Sequence, residues 1–157
     1  MRVFALLFCT ALVTAALPAT ANEFGTPAEA VAMVHRVQAM YQAEGTAATF
    51  KAVSDQSVKE FHDRDVYPFI YDLSGRNVAH GARPALIGKN LVDLKDQDGR
   101  YLIREIIAMA KGAGHGWVDY EWPNSLTNKI EAKSSYTELM GDYVVGVGVS
   151  KSRSGDE

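Results

Sequence analysis

Three apolar runs set close together in the last third of the chain constrain its fold more than any other feature: Gly116 to Trp122, Ile130 to Met140 and Tyr143 to Val149. Each is rich in β-branched or aromatic residues, and the gaps between them carry the turn signals Pro123-Asn124 and Gly141-Asp142. Runs of this kind in succession read as antiparallel strands.

Upstream, Val66-Tyr67-Pro68-Phe69-Ile70-Tyr71 leads into Asp72-Leu73-Ser74-Gly75-Arg76-Asn77, which reads as strand, turn, strand. Pro68 suits the start or edge of a strand, because it cannot donate to a ladder. Before this, the period is helical. Thr26-Pro27-Ala28-Glu29 is a capping box with proline in the first turn, followed by Ala30, Val31, Val34, Val37 and Tyr41 at helical spacing. Glu44-Gly45 is the expected stop, with a shorter helical piece from Ala47 to Val53 after it. A second amphipathic helix carries Leu102, Ile103, Ile106, Ile107 and Ala110 on one face. Asp98 is its expected cap, and the glycines at 112 and 114 close it. Helices set to one side of antiparallel strands define an α+β class. The order fits a PAS-like antiparallel five-stranded sheet with a long N-terminal helix and one amphipathic crossover helix.

The first residues belong to a different kind of segment. Met1-Arg2, the apolar stretch Val3 to Leu17 and the small residues Ala19-Thr20-Ala21 form a secretory signal pattern, with cleavage expected after Ala21. An uncleaved membrane anchor is the alternative, although the run is short of the ~20 residues a spanning helix needs. A lipoprotein reading of Cys9 is weaker, because Leu7-Phe8 lacks the small residues that lipid attachment requires. The expected organisation is a signal peptide over 1–21, a helical segment over 22–65, the sheet domain over 66–150 and a frayed tail over 151–157. Cleavage removes Arg2 and Cys9, leaving 15 basic against 19 acidic side chains and no cysteine. Disulfides and thiolate metal sites are then excluded. Mild acidity argues against nucleic acid and anionic membrane surfaces, both of which need a basic face.

Few motifs carry reactive chemistry. His35, His62, His80 and His115 stand too far apart in sequence for two imidazoles on one helix face, so no metal is expected. Asp93 to Gly99 imitates a calcium loop, but counting back from Gly99 places Leu94 where the first ligand belongs. Gly112 to Gly116 follows a helix and precedes a strand, the reverse of a phosphate-binding order. There is no Gly-x-Ser-x-Gly elbow, which makes an enzyme improbable. Asp63 and Asp65, flanking Arg64, read as solvated loop charges. What remains is an aromatic and basic constellation: Tyr120, Trp122, Lys133 and Tyr136, with Tyr67, Tyr71 and His80 upstream. Strand alternation puts Val118, Tyr120 and Trp122 on one face, and puts Lys133 opposite Tyr136 unless a bulge intervenes. On periodicity alone, these residues read as sheet core with a solvated lysine.

The stretch from Tyr67 to Val149 also resembles a known family. Tyr-Pro-Phe-Ile-Tyr-Asp-Leu-Ser-Gly, Asn-Val-Ala-His, Leu-Ile-Gly-Lys-Asn-Leu-Val-Asp-Leu-Lys-Asp, Gly-Trp-Val-Asp-Tyr-Glu-Trp-Pro-Asn, Lys-Ser-Ser-Tyr and Val-Val-Gly-Val-Gly are similar, in order and spacing, to the single Cache domain of the second type. The resemblance implies an extracytoplasmic, PAS-like ligand sensor of bacterial chemoreceptors and kinases, known also as free secreted proteins, with small carboxylates such as acetate, propionate, pyruvate and lactate as ligands. It implies pocket positions at His80, Trp122, Lys133 and Tyr136. Pro68 and Gly81 depart from the family pattern.

A carboxylate taken out of water needs a charge and hydrogen-bond donors. Lys133 and Tyr136 are the expected pair, with Tyr71, Tyr120 and Trp122 as walls around a short tail. The expected function is a periplasmic, non-catalytic binding protein for a short-chain carboxylate, without cofactor, acting on a membrane receptor or kinase. The rival is a docking module with a vestigial pocket, in which the helix from Thr26 to Glu44 pairs with a membrane sensor or with a second copy as a homodimer.

Overall fold

The computed structural model describes residues 24–151; the signal pattern and most of the expected tail lie outside them. The first element is helix α1, Pro27–Ser54. Thr26 caps it: its Oγ1 accepts from the Glu29 amide at 3.3 Å, and the Glu29 carboxylate accepts from the Thr26 amide at 2.7 Å. At Gly45 the backbone leaves the helical region (φ 79°, ψ −179°) and the helix resumes beyond it. The expected stop is therefore a kink between two helical segments.

Strands β1 (Pro68–Asp72) and β2 (Asn77–His80) form a hairpin. Pro68 opens β1 although that strand is interior, so its missing N–H costs no ladder bond beyond the end. Helix α2, Leu102–Ala113, crosses to the far edge of the sheet, where β3 (His115–Pro123), β4 (Ile130–Met140) and β5 (Tyr143–Ser150) run as a meander. All pairings are antiparallel and the order is β2-β1-β5-β4-β3. This is the expected α+β, PAS-like sheet, with its two helices on opposite faces and not set to one side. Among the described residues, no helix is long and apolar enough to cross a membrane.

One expectation fails at the start of α2. Asp98 does not cap it; the cap position is Tyr101, whose side chain makes no capping bond. The chain first closes a turn, in which Asp96 Oδ1 accepts from the Arg100 amide at 2.8 Å and Gly99 adopts φ 80°. Asp98 falls inside that turn, too early to reach the helix.

The sheet separates two cores. On one face, Ala30, Met33, Val34 and Val37 of α1 pack against Ile70, Ala79, Tyr136, Val145, Val147 and Val149. On the other, Leu102, Ile103, Ile106 and Ile107 of α2 pack against Phe69, Tyr71, Val118, Tyr120 and Val144. The β5 sequence Val145-Gly146-Val147-Gly148-Val149 explains the asymmetry. Its valines all face α1, leaving glycines on the α2 face, where a Cβ at Gly146 would meet the Phe69 ring at 2.4 Å.

Candidate functional site

The glycine side of β5 leaves room between sheet and helix, and a cavity occupies it. Tyr67, Phe69 and Tyr71 alternate along the first strand run and present rings to this face. His80 pairs with Phe69 across the hairpin, and Tyr120 pairs with Lys133 across β3 and β4. These residues line the cavity with Trp122, Gly148 and α2 residues Leu102, Ile103 and Ile106. The space is small, on the scale of a ligand of a few heavy atoms.

Lys133 is the exceptional group. Only 1% of it is exposed, and its Nζ has no hydrogen-bond partner among the described residues. The Asp65 Oδ2 lies 3.8 Å away, and the ammonium sits 5.5 Å from the centre of the Tyr67 ring. Burial pushes the lysine's pKa down, while the Asp65 and Glu131 carboxylates pull it back up. Asp65 is itself wholly buried, which corrects the solvated-loop reading. A tight turn causes this: Asp63 and Val66 bridge each other, Arg64 takes φ 53°, and the chain reverses so that Arg64 pairs outward with Asp63 and Glu29 while Asp65 points in.

His80 contributes a neutral donor. Its Nδ1 accepts from the backbone amides of Ala82 (3.2 Å) and Arg83 (3.1 Å), which places the ring proton on Nε2. Burial, reinforced by the Arg83 charge, pushes its pKa down to about 3. Arg83 also lies over the Trp122 ring at 5.8 Å. The Tyr120 hydroxyl shares a 2.5 Å hydrogen bond with Ser135 Oγ, and burial raises the pKa values of Tyr67, Tyr71 and Tyr120. Gly81, one of the two departures from the resembled pattern, has a structural reason. Its amide donates to Pro68 O at 2.9 Å, and a Cβ there would stand 2.8 Å from Tyr67 Cβ.

The structure therefore brings Tyr71, His80, Tyr120, Trp122 and Lys133 together, and does not bring Tyr136 with them. Tyr136 stands on the α1 face: its hydroxyl donates to Glu138 at 3.2 Å and its ring packs against Trp117, His35 and His115. The β4 pairing runs from Lys133 to Met140 without a bulge, so two positions three apart must face opposite ways. Placing Tyr136 in the pocket with Lys133 is corrected on this ground. Tyr67 and Phe69 take its place, and their signal was the alternation Tyr67, Phe69, Tyr71. Among the described residues no cluster of His, Cys, Asp and Glu could hold a metal.

The pattern of the Cache domain family matches residues 27–154. The chain belongs to that family. It is 39% identical over 90 residues to the sensor histidine kinase MctS of Rhizobium johnstonii, covering 56% of this chain and 19% of the kinase. It is 31% identical over 121 residues to the methyl-accepting chemotaxis protein McpP of Pseudomonas putida, covering 72% of this chain and 22% of that receptor. The chain thus spans about a fifth of the length of these relatives. Among solved structures, it is similar to a methyl-accepting chemotaxis protein of Vibrio parahaemolyticus (TM-score 0.64, 29% identity, 76% of this chain and 82% of that one). It is similar also to a Cache chemosensory domain described for its carboxylic acid recognition (TM-score 0.58, 27% identity, 76% and 84%).

Proposed function

We propose that this Cache domain is a periplasmic sensor for a short-chain carboxylate of the acetate, propionate, pyruvate or lactate class. It binds without catalysis and acts on a membrane receptor or kinase. One observation carries the reading: Lys133 is a buried cation with no hydrogen-bond partner among the described residues, at the wall of an aromatic cavity. Leaving such a group unsatisfied is costly, and an anion with two acceptor oxygens offsets that cost. His80 Nε2–H supplies a neutral donor from the hairpin, while Tyr71, Tyr120 and Trp122 enclose the tail. The cavity's small volume favours the shortest acids. The related domain described for carboxylic acid recognition supports the same ligand class.

The test is a thermal-shift panel of two- to four-carbon carboxylates at millimolar concentration, with the corresponding amides as uncharged controls. A ligand at about 100 times its Kd adds ~2.7 kcal/mol of stability. One or more acids should raise the melting temperature by several degrees while the amides leave it unmoved. Equal, null responses to every acid would refute the reading.

A further inference from the structure

Asp65 is absent from the cavity lining, yet its carboxylate joins the pocket lysine to the two places where the polypeptide enters and leaves the fold. Its Oδ1 accepts from the Gly25 amide at 2.8 Å, immediately ahead of the Thr26 cap of α1. Its Oδ2 accepts from Ser150 Oγ at 3.0 Å, on the last residue of β5. The same oxygen takes a longer bond, 3.4 Å, from Asn124 Nδ2 in the turn between β3 and β4, and lies 3.8 Å from Lys133 Nζ. Asn124 also binds Ser150 Oγ at 2.8 Å and Glu131 at 3.0 Å, so the groups form one connected network. Gly25 is held against it sterically as well, since a Cβ there would stand 1.8 Å from Val66 Cγ2.

The lysine distance is the informative one. At 3.8 Å it is an ion pair but not a hydrogen bond. Asp65 is hydrogen-bonded by the entry and exit segments, whereas Lys133 Nζ stands between that carboxylate and the cavity with no hydrogen bond of its own. We propose that Asp65 is the positioning residue through which occupancy of the cavity reaches Gly25 and Ser150. An anion in the cavity hydrogen-bonds the ammonium and draws its charge from Asp65. The carboxylate, still buried, then depends more on its remaining donors, and its bonds to Gly25 N–H and Ser150 O–H tighten. The entry and exit segments are thereby clamped together when the cavity is filled.

The ligand arm of the test rests on the carboxylate reading; the variant arm does not. Amide hydrogen exchange at Gly25 is measured by NMR on the protein expressed from the full chain, with and without excess propionate, and binding is followed separately by calorimetry. Bound propionate should slow Gly25 exchange several-fold. Lys133→Met, and Lys133→Gln as a second variant, should slow it without any ligand, because each removes the cation that competes for Asp65. In an Asp65→Asn background the effect of Lys133→Met should vanish. Propionate that binds without changing Gly25 exchange overturns the proposal. So do lysine variants that leave exchange unchanged, or whose effect survives Asp65→Asn. If propionate does not bind, its recognition fails by calorimetry and the lysine variants alone decide the coupling.

Discussion

His80 should make the fold acid-sensitive in a defined window. The group is 2% exposed and its pKa is pushed from the ordinary 6.5 down to about 3. The sign follows from proton uptake: between these values the unfolded chain protonates the histidine and the folded one does not, so stability is full above pH 6.5 and falls as pH is lowered. At about 1.36 kcal/mol per pH unit, the loss from this residue alone reaches ~2.7 kcal/mol by pH 4.5. The assay is urea unfolding of the wild type and of His80→Asn from pH 7.5 to 4.5. Asparagine Oδ1 can replace Nδ1 as acceptor for the Ala82 and Arg83 amides but does not titrate. Other titrating groups are shared by both proteins, so the difference between the two curves isolates His80. That difference should shift by ~2.7 kcal/mol against the wild type across the window. Parallel curves would mean that the folded histidine takes up the proton, and would refute the acceptor role of Nδ1.

Two further substitutions probe the sheet faces. Gly146→Ala places a methyl 2.4 Å from Phe69 Cζ; overpacking of this kind costs ~1–3 kcal/mol, and chemical denaturation should show it together with weakened ligand binding, because Phe69 lines the cavity. Tyr136→Phe removes a hydroxyl that meets Glu138 on the α1 face; calorimetry should find carboxylate affinity unchanged, and a large loss would return Tyr136 to the pocket.

The fold was legible because its elements announce themselves by period and punctuation. The capping box at Thr26, Gly45, Gly114 and the turn at Gly141-Asp142 all mark real boundaries. Much of the cavity lining was legible too: alternation put Tyr120 and Trp122 on one face, and the resemblance put Lys133 and His80 among the expected pocket positions. Where resemblance and alternation disagreed, at Tyr136, strand geometry decided, because an unbulged ladder leaves no freedom. Asp65 was illegible for a different reason. Its burial depends on Arg64 adopting positive φ, a conformation that an arginine does not advertise. The charge pattern Asp63-Arg64-Asp65 looks uniformly exposed, although one member faces the core. That Lys133 meets Asp65 as an ion pair and not as a hydrogen bond likewise depends on a distance between segments far apart in sequence.

The most direct measurement of the central claim is calorimetric titration of propionate and acetate into the wild type and into Lys133→Met. A favourable limit of about 1.5 kcal/mol per heavy atom gives roughly 6 kcal/mol for acetate, hence a Kd no tighter than some tens of micromolar. The account predicts saturable 1:1 binding by the wild type at or above that limit and none by the methionine variant at the same concentrations, with both proteins folded. Binding of equal strength to both would contradict it.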